Sequence, residues 1–140
     1  MLFVLDCSVA ISWCLSDEDN SYANSVYNIL VTGNQAIVPT FFWLEISNVL
    51  YVAEKRNRNT REQSDTALKL LQKLPIIIDL IPVNETIIAT LDLARQYNLA
   101  AYDAAYLELA MREKLLLATS DNRLANAAKN LNLLLEDPNV

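Results

Sequence analysis

The stretch LFVLD, residues 2–6, sets the reading of the fold. Four apolar residues without polar alternation read as a short strand buried on both faces. An aspartate ends the run. Strands of that kind belong to parallel sheets covered by helices on both sides. A helix through VAISWCL (9–15) is expected next, then a second through residues 16–33. In that segment Tyr22, Val26, Ile29 and Leu30 fall at helical spacing, and Gly33 suits the helix end. AIVP (36–39) reads as a second strand stopped by Pro39.

The same alternation runs to the end of the chain. A long helix is expected over 40–56, with Thr40 as its N-cap, and another after Thr60. IIIDLIPV (76–83) reads as extended. NETIIATLDLARQYN follows as a helix capped by Asn84, then AYDAAYLELAMREK (101–114) as a further helix. LLLAT (115–119) reads as a buried strand, NRLANAAKN (122–130) as a helix, and LNLLLE (131–136) as a last strand. Buried strands alternating with helices predict an α/β layer fold around a mostly parallel sheet. With 140 residues, 53% of them hydrophobic, the chain suits one domain over 1–140 with a single core. No repeat, linker or low-complexity tract interrupts it.

Composition removes whole classes of chemistry. There is no histidine, so Ser-His-Asp triads, Cys-His pairs and zinc–imidazole sites are excluded. One glycine cannot supply a phosphate-cradling loop. Cys7 and Cys14 form no CxxC pair and read as small core residues. A net charge of −6 argues against RNA or DNA binding by bulk charge and leaves room for a basic partner. No apolar run reaches the length of a membrane helix, and MLFVLDCSVA has no basic leader. The expectation is a soluble, cytoplasmic protein without a membrane role.

What remains is carboxylate chemistry. Ligands of open parallel sheets bind beyond the carboxyl ends of the strands. Asp6 ends the first strand and Asp121 follows LLLAT by two residues, so parallel strands would bring both to one edge. Glu45 lies at the margin of the buried stripe Phe42, Ile46, Val49, Leu50 and Ala53. On the 102–114 helix Glu108 and Arg112 read as the solvent side. Asp103 points away from them, beside Tyr106, Leu107 and Ala110. Each acid has a plain alternative. Asp6, with Ser8, and Asp121 could cap helices, Asp103 could complement a helix dipole, and Glu45 could be an edge residue. Together the four would repel one another, and a hard cation such as Mg²⁺ or Mn²⁺ would relieve that repulsion.

Four segments taken in order resemble the PIN-domain family, specifically VapC-like toxins of type II toxin–antitoxin pairs. They are LFVLDCSVAISWCLSDE, VPTFFWLEISNVL, NLAAYDAAYLELA and LLLATSDNRLANAAKNLNLLL. The resemblance implies a three-layer α/β/α fold and an endoribonuclease using one or two Mg²⁺ or Mn²⁺ ions. It implies that Asp6, Glu45, Asp103 and Asp121 are the catalytic and metal-binding acids, with Ser8 and Thr119 matching supporting positions. Asp6 and Asp103 would be the leading ligands. It implies a cognate antitoxin covering the site and a homodimer, with helix 40–56 offering aromatic side chains such as Trp43, whose plain alternative is core packing. Cys7, Ala100 and Ala101 depart from the usual pattern without touching these acids. The basic stretch Lys55, Arg56, Arg58 and Arg61, together with Arg123, could contact RNA phosphates or be simply solvated. A catalytically silent PIN fold acting as a binding module is the main rival. A phosphoacceptor domain would need paired acids after the first strand, and a DxD phosphatase would need an acid at position 8, where Ser8 stands.

Overall fold

The computed structural model describes residues 1–137 and 139. β1 (Leu2–Leu5) is flanked by β2 (Gln35–Val38) and β4 (Leu117–Ala118), and β3 (Ile76–Ile78) forms the outer edge beside β2. The order is β3-β2-β1-β4 and every pair is parallel. Phe3, Val4 and Leu5 are fully buried, as a run without polar alternation requires at the sheet centre. The crossovers are helical: α1 (Cys7–Ser12), α2 (Ser21–Val31), α3 (Phe42–Lys55), α4 (Arg61–Leu71), α5 (Val83–Tyr97), α6 (Ala101–Glu113) and α7 (Asn122–Asn130). They fall into two packed groups, α1–α4 and α5–α7, with α6 lying on β1 and β4. The three-layer α/β/α architecture expected from the sequence is the one found.

Local chemistry sets most helix ends. Asn20 caps α2 by accepting from the Ala23 amide. Thr60 and Gln63 bond reciprocally in a capping box at the start of α4. Gly33 follows α2 at φ +98°, a region open to glycine. Asn98 and Lys114 end α5 and α6 in the left-handed conformation.

Five expectations need correction. Thr40 does not cap α3. Its place is taken by Phe41, because a tight turn pairs the Phe42 amide with the Pro39 carbonyl and leaves the threonine hydroxyl outside. Asn84 lies within the first turn of α5, whose N-cap is Pro82. β3 spans three residues, not eight, since the Asp79 carboxylate turns back to accept from the Ile81 amide and Pro82 has no N–H to donate. LNLLLE forms only a single bridge, Leu134 with Leu117, after Asn132 bends the chain at φ +58°. Glu108 is not on the solvent side of α6. It is 6% exposed, because α5 packs along that helix. Arg112 bonds Glu108 at 2.9 Å and Asp79 at 2.6 Å, tying α6 to the end of β3. Among the described residues no helix is long and apolar enough to cross a membrane.

Candidate active site

Parallel pairing puts the C-terminal ends of β1 and β4 side by side. The Asp6 amide donates to the Ala118 carbonyl at 3.0 Å, so Asp6 and Thr119 leave the sheet together. Asp6 occupies the N-cap position of α1, yet its side chain makes no capping bond. Its Oδ2 accepts from the Ser8 hydroxyl at 2.6 Å and from the Thr119 hydroxyl at 2.8 Å. Those hydroxyls accept in turn from backbone amides of the β4–α7 loop, Ser8 from Ser120 at 2.9 Å and Thr119 from Asp121 at 3.0 Å. The amides fix the hydroxyls as donors, and the donors fix Asp6. Both converge on Oδ2.

Asp121 does what its plain reading proposed. It caps α7, its Oδ1 accepting from the Leu124 amide at 2.9 Å. Asp103 stands in the first turn of α6, half-buried. Glu45 stands in the first turn of α3, where its Oε1 accepts from the Tyr106 hydroxyl at 2.6 Å. Tyr106 is fully buried, and Phe41 packs edge-on against its ring. Its role as a partner of Glu45 was not read from the sequence. The available signal was the hydroxyl itself, since a buried tyrosine on an apolar face needs an acceptor.

Three of the four acids are raised above the ordinary carboxylate range. Asp6 is pushed up first by burial, partly offset by its two hydroxyl bonds, and further up by Asp121. Glu45 is raised by burial, lowered by Tyr106, and raised again by Asp6 and Asp103. Asp103 is raised to about 6 by burial, Asp6 and Asp121. No lysine or arginine contributes to any of the three. Cys7, buried nearby, is pushed upward by burial and by Glu45 and Asp6, so its thiol stays protonated and inert. Burial likewise raises Cys14, to about 11.

Uncompensated carboxylates and two hydroxyls form an oxygen-only donor set, the kind hard divalent cations take. Among the described residues no three acids or cysteines close on one point as a ready-made metal cage. That arrangement suits an ion held by one or two carboxylates that keeps several waters, as Mg²⁺ does.

A family model for the PIN domain matches residues 3–130. The chain belongs to the PIN-domain family. Its fold is shared with PAE2754 from Pyrobaculum aerophilum at a TM-score of 0.68 and 18% identity, covering 91% of this chain and 87% of that one. It is also shared with VapC20 of Mycobacterium tuberculosis, a toxin that cleaves the sarcin–ricin loop, at a TM-score of 0.65 and 8% identity over 99% and 100% of the two chains. A comparison with curated proteins gives no match.

None of the basic residues singled out in the sequence contributes to the shifts of Asp6, Glu45 or Asp103. Lys55 ends α3, ten residues or about 15 Å along the helix from Glu45. Its ammonium lies 5.4 Å from the centre of the Tyr51 ring. Arg58 grips Asp17 through two bonds of 2.9 and 3.0 Å. Arg56 and Arg61 are exposed beside it. Arg123, also exposed, is the basic residue nearest the acids in sequence, two positions beyond the Asp121 cap.

Proposed function

We propose that this PIN domain is a divalent-metal-dependent endoribonuclease, the toxin of a toxin–antitoxin pair. The observation that supports this most is that Asp6, Glu45 and Asp103 are each raised, by burial first and by neighbouring acids after it, with no basic side chain contributing. Burying like charges together is costly unless a cation joins them. Asp6 and Asp103 would hold Mg²⁺ or Mn²⁺, with Glu45 and Asp121 binding directly or through water. When bound, such an ion lowers the pKa of water and stabilises charge on a phosphate oxygen. Ser8 and Thr119 hold the Asp6 carboxylate in one orientation, and Tyr106 does the same for Glu45. Asp103, raised to about 6, must lose its proton before it can serve as a ligand.

In this reading the protein works in the cytoplasm. A cognate antitoxin supplies basic side chains that pair with the acids and block the site. A homodimer would form through α3, where Leu44 and Tyr51 are exposed and Trp43 is partly buried against the core. RNA is recognised by shape and local contacts, since the chain carries a net charge of −6.

The test is cleavage of total cellular RNA by purified protein, with Mg²⁺ or Mn²⁺ and with EDTA. Cleavage that needs the metal and falls at least about a thousandfold in Asp6→Asn and Asp103→Asn supports the proposal. Cleavage that survives EDTA or both substitutions refutes it. A second reading, a silent binding module, draws on the capping role of Asp121 and the lack of a ready-made cage among the described residues. It predicts neither cleavage nor metal binding.

A further inference from the structure

Beside the acids, between α5 and α6, lies a cavity of about 300 Å³ that none of the proposed catalytic groups lines. Tyr102, Ala105, Leu109 and Arg112 form its α6 wall. Their spacing of three, four and three residues makes one face of that helix. Asp103 is the next residue round, about 100° from Tyr102. The loop after β2 supplies Phe41 to the cavity, and the same phenylalanine packs edge-on against Tyr106, the partner of Glu45. The cavity and the acid cluster therefore share the first turn of α6 and one aromatic ring.

We propose that this cavity is a subsite for an unpaired nucleobase of the RNA, seated beside the phosphate to be cut. The proposal rests on the nuclease reading above and adds what the substrate presents there. Three observations narrow the ligand class. Phe41 and Tyr102 meet edge to face at 5.3 Å, which fixes both rings, while Tyr102 stays 62% exposed and offers a stacking surface. Among the described residues that line the cavity the one cation is Arg112, and it is already shared by Asp79, Glu108 and Glu113, which leaves it poorly placed to hold a phosphate. A flat, uncharged ring suits that lining. Finally, a chain with a net charge of −6 gains little affinity for RNA from bulk charge. Stacking on a splayed base supplies it instead.

The experiment compares two short fluorescein-labelled single-stranded RNAs of equal length, one ordinary and one with abasic residues at its centre. Binding is read by anisotropy with Ca²⁺ in place of Mg²⁺, on the intact protein, on Tyr102→Ala and on Thr86→Trp, which fills the cavity from α5. The intact protein should bind the ordinary strand about tenfold more tightly than the abasic one. Each variant should lose that preference while its affinity for the abasic strand stays unchanged. Tyr102 is exposed, so its truncation keeps the test open if the tryptophan disturbs folding. A preference that is missing in the intact protein, or that survives both variants, overturns the subsite. So does a change of mass by light scattering with Thr86→Trp while the preference persists, which would mean that a second chain fills the cavity. Metal-dependent cleavage of total RNA, run in parallel, separates the two claims. Cleavage without base preference overturns the subsite alone, and neither cleavage nor binding overturns both.

Discussion

The hydroxyl of Thr119 joins the two aspartates of the β1–β4 edge. It donates to Asp6 and accepts from the amide of Asp121, and the residue is 4% exposed. Thr119→Val keeps the shape and removes both bonds. A buried carboxylate then loses one of two donors, and a loop amide loses its acceptor. We predict a loss of about 1–3 kcal/mol in urea unfolding with an unchanged m value, and a larger proportional loss of metal affinity. Asp6 and Asp121 were legible in the sequence because each ends or closely follows a buried strand, and parallel strands end together. Their detailed roles were not legible. Asp6 could cap α1 but does not, whereas Asp121 does cap α7. Asp6 is held instead by the nearby Ser8 hydroxyl and by the Thr119 hydroxyl 113 residues away, and the second of these no local pattern encodes.

At the scale of elements, α6 shows where periodicity fails. An amphipathic reading sends Glu108 and Arg112 to water, since charged residues are rarely buried. The structure buries Glu108 because Arg112 satisfies it through two bonds and reaches on to Asp79. Nothing in the spacing along α6 announces Asp79, which lies on another element. Arg112→Ala would leave Glu108 and Asp79 unpaired in partial burial. We expect about 3 kcal/mol of destabilisation by urea unfolding, with part of it recovered in the double variant Arg112→Ala/Glu108→Gln. The central strand β1 was easier to read, because an unbroken apolar run has few alternatives. The marginal strands were not, since β3 and β4 are only three and two residues long and β3 stops where Asp79 turns the chain back.

The whole molecule holds its acids under strain that pH should expose. An acid raised above its ordinary pKa binds its proton more tightly in the folded chain than in the unfolded one. Acidification between about 6 and the ordinary 3.8 of Asp103 therefore stabilises the metal-free fold, and rising pH removes that contribution. Asp6 and Glu45 are raised too and act in the same direction. Asp17, lowered by Arg58, acts oppositely but below 3.8. The metal-free protein should thus gain a few degrees in Tm when taken from about pH 7 to about pH 5. Asp103→Asn should flatten that rise, and a rise of undiminished size in the variant would assign it to other groups.

The most direct test of the account is calorimetric titration of Mn²⁺ into the metal-free protein, with Asp6→Asn and Asp103→Asn alongside. If the acids are held together for a cation, the intact protein binds Mn²⁺ and releases protons when the titration is run near the Asp103 value of about 6. Both variants then bind at least about tenfold more weakly. An intact protein that takes up no Mn²⁺, or variants that bind it as well as the parent, would contradict the account at its centre.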